Sequence, residues 1–144
     1  MSTAAAKTEI QMLIDTYRQA MSDKDVEKIM ALYGDSIVAF DAVQALQFVD
    51  KTAYRQHWQA CMQMCPGPHD FEFQTPTINV AEDVAFAHWL AKCGGTNEQG
   101  ELQSSWMRAT AGYRRINGQW RIVHEHWSAP FDPASGAALF DLNP

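Results

Sequence analysis

The spacing of apolar residues divides the chain into a helical first half and a strand-rich second half. Ile10, Leu13, Ile14, Tyr17 and Met21 recur every three to four positions. That period lines one face of a helix and predicts one over roughly residues 5–22. Ser22-Asp23-Lys24-Asp25 interrupts it, and Asp25 is placed to cap a short second helix holding Val26, Ile29, Met30 and Tyr33. Gly34-Asp35 stops that helix. Ser36 to Asp41 is rich in strand formers and predicts a first strand. Asp50-Lys51-Thr52 opens a third helix with Tyr54, Trp58, Cys61 and Met62 on its apolar stripe, and Cys65-Pro66-Gly67-Pro68 ends it.

From there the chain reads as strand. One run covers residues 70–80, with Pro76 marking an edge or a bulge, and a second covers 83–93. Gly94 to Gly100 reads as a hairpin loop, 101–115 as a long strand, and Asn117-Gly118 as a two-residue hairpin turn. The last strand is Trp120-Arg121-Ile122-Val123-His124-Glu125-His126-Trp127-Ser128. Successive strand side chains point to opposite faces. Trp120, Ile122, His124, His126 and Ser128 are therefore expected on one side, and Arg121, Val123, Glu125 and Trp127 on the other. Two imidazoles, a hydroxyl and an indole on one face read as the wall of a polar-tipped pocket. Helices followed by a curled meander give the α+β class: N-terminal helices packed in a curved mixed or antiparallel sheet that encloses a pocket, as one domain over 1–144.

Composition narrows the function classes. Of 144 residues, 47% are apolar and 19% charged, which suits a soluble globular domain. A net charge of -6 without any basic run gives nothing to neutralise phosphates, so no nucleic-acid partner is expected. No apolar stretch is long enough to span a bilayer, and Met1 to Lys7 lacks the apolar core of a secretion signal. Cytoplasmic localisation is the expectation. Three cysteines are an odd count, and Cys61 and Cys65 stand at i, i+4 on the predicted helix. Small apolar residues in a reducing compartment account for them.

The run from Gly118 to Phe131 reads Gly-x-Trp-Arg-Ile-Val-His-x-His-x-Ser-x-Pro-Phe, and Trp106, Arg108 and Thr110 alternate on the strand before it. These motifs, with the order of elements along nearly the whole chain, resemble the SnoaL-like branch of the nuclear-transport-factor-2-like superfamily. The resemblance implies the cone-shaped α+β fold shared by ketosteroid isomerase and SnoaL-like polyketide cyclases, action without metal, and a sheet-to-sheet homodimer. Against ketosteroid isomerase the segment from Tyr17 to Asp41 aligns without a gap. Tyr17 falls on the tyrosine that donates to the enolate oxygen, and Asp41 on the aspartate that shuttles the proton. The third position, a protonated aspartate that completes the oxyanion hole, falls on Gly112, so the match fails there.

The candidate site follows. Asp41 is the candidate general base, with capping of a turn as its plain alternative. Tyr17 lies on the helix stripe facing the sheet, where its hydroxyl needs a partner. Arg108 shares a strand face with Trp106, Thr110 and Gly112 and is a candidate to stabilise enolate charge. Trp58 is expected to close the mouth of the cone. His88, Trp106, His124, His126 and Ser128 are expected to line the pocket. Trp89 and Trp127 are expected on the outer face, an apolar patch suited to a homodimer. His-x-His lacks the tight paired spacing of a zinc motif, so neither metal nor cofactor is expected. The leading expectation is a domain that binds a small hydrophobic molecule bearing a carbonyl or carboxylate. The alternatives are a cofactor-independent isomerase or cyclase with Asp41 as base, and a purely structural dimerisation domain.

Overall fold

In the computed structural model, which describes residues 2–65 and 67–144, three helices pack against one sheet. Met1 and Pro66 lie outside the described residues, and with Pro66 goes part of the expected helix stop. Helix α1 (Thr3–Ser22) is capped by Ser2, whose side chain accepts from the Ala5 N–H. It buries Ile10, Ile14, Tyr17 and Met21. Asp25 caps α2 (Val26–Met30) through the Lys28 N–H, and Asp50 caps α3 (Lys51–Met64) through the Ala53 N–H. Cys65 lies just past α3 with an extended backbone, so Cys61 and Cys65 do not share a helix face.

The strands are β1 (Tyr33–Phe40), β2 (Phe48–Val49), β3 (His69–Phe73), β4 (Thr77–Ala81), β5 (Val84–Thr96), β6 (Leu102–Ile116) and β7 (Gln119–Ser128). Tyr33 thus opens β1 instead of closing the second helix. The predicted run 70–80 is two strands with Pro76, which has no N–H to give a ladder, in the gap between them. Both pair with β5. The sheet runs β2-β1-β7-β6-β5-β3, antiparallel except where β1 meets β7 in parallel. This is the unclosed, mixed α+β cone that the sequence implies. Ala85, Ala87, Trp89 and Ala91 of β5 and Ala109, Ala111 and Tyr113 of β6 turn inward and join Ile10 and Ile14 in the core.

One irregularity decides which side chains see the interior. Across β6 and β7, Tyr113 pairs with Ile122, but Gly112 pairs with His124, which leaves Val123 as an extra residue. A bulge of one residue inverts the facing of everything beyond it. Trp120 and Ile122 are buried before it, and Glu125 and Trp127 after it. The register with β1 also shifts between Tyr33 and Val38. Gly34 makes room there: a Cβ on it would stand 3.4 Å from the Val123 Cγ1.

The expected facing of the final strands is corrected accordingly. His124, His126 and Ser128 lie beyond the bulge, on the face away from the helices. On β6 the small residues at 109 and 111 take the inward positions, so Trp106, Arg108 and Thr110 point outward, as does His88 on β5. Trp89 and Trp127 are buried inside and add nothing to an outer apolar patch.

Candidate functional site

Asp41 follows β1 directly and reaches the rim of the interior with its side chain 17% exposed. Its Oδ1 accepts from the Val43 N–H at 3.3 Å and lies 3.4 Å from the Nε2 of His57 on α3. Its Oδ2 accepts from the Tyr54 hydroxyl at 3.0 Å. His57 is buried and stacks on Phe48 with ring centroids 4.0 Å apart, which fixes the imidazole plane toward Asp41. Tyr54, His57, Trp58 and Cys61 recur at helical spacing, so α3 presents them together.

Asp41 and His57 stand at one side of a cavity of about 370 Å³. Its walls are chiefly apolar and aromatic, from Met21, Trp58, Met62, Phe71, Met107 and Trp127, with Cys61, Cys65 and Cys93 also on the lining. Burial, then the charge of Asp41, pushes the Cys61 thiol up to about 11, and the same causes push Cys93 up to about 12. Both therefore stay neutral and serve as soft apolar lining.

Behind the Asp41 side of the cavity lies a wholly buried carboxyl, Glu125. Its Oε2 accepts from the Tyr17 hydroxyl at 2.7 Å and the Trp127 indole at 2.9 Å, and lies 2.8 Å from the Tyr54 hydroxyl oxygen. Because Tyr17 gives its proton to Glu125, Tyr33 must donate to Tyr17 across their 3.2 Å contact, and Trp58 donates to Tyr33 at 3.2 Å. The result is a directed chain from indole to phenol to phenol to carboxyl. Burial raises Glu125 to about 7 against the pull of the Tyr17, Tyr33 and Tyr54 hydroxyls, and the charge of Asp41 adds to the rise. Burial, then the Glu125 charge, holds the phenols of Tyr17 and Tyr54 well above their ordinary range, so both remain donors.

Of the residues expected in the site, Asp41 and Trp58 line the cavity. Tyr17 does not. It is buried beside Trp58 and Trp127 and reaches Asp41 only through Glu125 and Tyr54. The other expected residues, Trp106, Arg108, His88, His124, His126 and Ser128, lie off the lining. Arg108 donates to Ser128 at 3.1 Å on the outer face, and His124 Nδ1 sits 2.6 Å from the Val38 carbonyl. His57, Tyr54, Tyr33, Glu125 and Trp127 join the site from positions that the sequence pattern does not mark as functional. His57 had a signal, since it lies three residues after Tyr54 and four before Cys61 on the same stripe. Among the described residues, no group of three or more His, Cys, Asp or Glu side chains is arranged to hold a metal ion. No helix among them is long and apolar enough to cross a membrane.

A family model described as a SnoaL-like domain matches residues 10–132. Among solved structures, an NTF2-like protein of unknown function from Pseudomonas putida KT2440 is 52% identical over 100% of both chains, with a TM-score of 0.92. A nuclear transport factor 2 (NTF2-like) superfamily protein from Salmonella enterica serovar Typhimurium LT2 is 19% identical, with a TM-score of 0.82 over 96% of this chain and 100% of that one. A ketosteroid isomerase-like protein from Erwinia carotovora atroseptica SCRI1043 is 17% identical, with a TM-score of 0.72 over 84% of this chain and 93% of that one. The last two similarities concern the fold alone. No protein of curated function matches the chain.

Proposed function

The chain belongs to the SnoaL-like domain family, and on that footing we propose that its cavity binds a small, largely apolar molecule and holds that molecule's one polar group against Asp41 and His57. The observation that carries this reading is the contrast within the lining: a carboxyl and an imidazole 3.4 Å apart, set among methionine, cysteine, tryptophan and phenylalanine side chains, with His69 and Gln103 as the other polar side chains on the wall. Apolar walls supply affinity in proportion to the area they cover, and the polar pair fixes orientation. A carbonyl or hydroxyl group suits the pair.

A second reading adds chemistry at the same place. Asp41 removes a proton from the carbon next to a bound carbonyl, the C–H electron pair passes into the enolate, and Asp41 returns the proton to the product. The position of Asp41 on the lining, with Tyr54 bonded to its second oxygen, favours this reading. The engagement of Tyr17 with Glu125 weighs against a steroid-isomerase oxyanion hole, and Gly112 faces away from the cavity.

The test uses 1-tetralone, a bicyclic ketone with exchangeable protons next to its carbonyl. Saturable binding by calorimetry, weakened roughly tenfold in Asp41→Asn and in His57→Gln, is the expected result for the first reading. Deuterium uptake faster than in buffer, lost by about 100-fold in Asp41→Asn, supports the second. Absence of binding by the parent protein contradicts both.

A further inference from the structure

The Tyr54 hydroxyl stands between two carboxyl groups, 3.0 Å from Asp41 Oδ2 and 2.8 Å from Glu125 Oε2. A phenol carries one proton and gives one such bond. With both carboxyls ionised, one of these contacts would set a lone pair of the hydroxyl against a carboxylate oxygen. The arrangement closes only when one carboxyl is protonated and donates to Tyr54 while Tyr54 donates to the other. Glu125 is wholly buried, and its Oε1 has no hydrogen-bond partner among the described residues, so a full negative charge there is costly.

We propose that Asp41 and Glu125 share a single proton through Tyr54, which makes Glu125 the positioning residue that decides whether the cavity carboxyl is offered as an acid or as a base. With the proton on Glu125, its O–H donates to Tyr54, Tyr54 donates to Asp41, and Asp41 is an ionised base. In the other form the Glu125 proton has passed to the Tyr54 oxygen and the former Tyr54 proton to Asp41 Oδ2, so that Tyr54 now donates to Glu125 and Asp41 donates to Tyr54. Asp41 is then an acid. The two O–H bonds that form match the two that break, and no proton enters or leaves the array.

The surroundings of Glu125 fit this exchange. Tyr17 faces it from α1, Tyr33 from β1, Tyr54 from α3 and Trp127 from its own strand; Tyr113 of β6 also senses its charge. Asp41, on the far side of Tyr54, has His57 as its further neighbour. The phenols are held protonated by burial, whereas burial lifts Glu125 to about 7, so this carboxyl is able to hold a proton near neutrality. Macroscopic titration steps then belong to the pair.

The inference rests on the proposed cavity only for its use, and its test needs no ligand, so binding of 1-tetralone stands or fails apart from it. Glu125 is labelled with ¹³C at its carboxyl and its titration midpoint is read by NMR in the parent, Asp41→Asn, Tyr54→Phe and the double variant. Sharing through Tyr54 predicts that Asp41→Asn lowers the midpoint by about half a pH unit or more, and that the same substitution has little effect once Tyr54 is Phe. Equal shifts in both backgrounds reduce the coupling to bare charge repulsion and overturn the proposal, as does no shift in either. Infrared spectra provide a second measurement if Tyr54→Phe does not fold. The protonated-carboxyl band of the parent at about pH 6 must change frequency in Asp41→Asn, and an unshifted band overturns the proposal equally.

Discussion

Tyr17 and Glu125, 108 residues apart in sequence, meet through a hydrogen bond of 2.7 Å that joins the first helix to the last strand beneath the cavity. Their contact exists because one extra residue in β7 turns Glu125 inward. When Glu125 is ionised, its charge makes this a stronger bond than one between neutral groups. Tyr17→Phe keeps the ring against Trp58 and Trp127 and removes only the hydroxyl. It is expected to cost about 1–3 kcal/mol in urea unfolding, since Glu125 loses a donor in a dry site. An unchanged midpoint of unfolding would mean the bond contributes nothing.

Stability should depend on pH through Glu125. Folding raises this group from its ordinary 4.5 to about 7, with burial as the main cause. A raised group stabilises the fold fully below its unfolded value, and that contribution is lost as pH rises through the folded value. Between about pH 4.5 and 7 the contribution falls by about 3 kcal/mol. Glu125→Gln should flatten this part of the curve when unfolding free energy is measured across the window. A slope equal to the parent's would assign the pH dependence elsewhere.

The outward residues should be dispensable for the cavity. Arg108→Ala and His126→Ala are expected to change unfolding free energy by no more than about 0.5 kcal/mol, because both side chains are exposed. Neither should alter calorimetric binding of 1-tetralone. A severalfold loss of affinity in either variant would return these residues to the site.

Deletion of Val123 tests the bulge itself. Without the extra residue the facing set by Trp120 and Ile122 would continue, sending Glu125 and Trp127 to solvent and His124 and His126 into the core. The deletion is expected to abolish the cooperative thermal transition, a loss beyond about 4 kcal/mol. A folded protein with the parent's melting temperature would show that the ladder closes another way.

Much of this architecture was legible in the residues. The period of Ile10, Ile14, Tyr17 and Met21, the caps at Asp25 and Asp50, and the Asn117-Gly118 turn placed the helices and the last hairpin where they stand. Asp41 and Trp58 reach the cavity from positions that spacing and alignment singled out. The facing of the last strand was not legible from strict alternation, because alternation assumes an unbroken ladder. Gly112, a glycine inside a long strand and next to the register shift, is the available warning of a bulge, although the comparison with ketosteroid isomerase presents it only as an absent catalytic group. Strict alternation puts Glu125 with Trp127 on the face opposite the pocket, whereas the bulge turns both inward and brings Glu125 to Tyr17 and Tyr54. His57 is hard to single out in the sequence because its neighbours on α3 make the stripe read as plain core.

The central claim, that the ligand enters the space beside Asp41 and His57, is tested most directly by methionine methyl NMR during titration with 1-tetralone. Met21, Met62 and Met107 line the cavity, while Met12 and Met64 are 63% and 66% exposed and report on nonspecific contact. Saturable shifts confined to Met21, Met62 and Met107 are the predicted result. Shifts absent from those three, or no larger than those of Met12 and Met64, would contradict it.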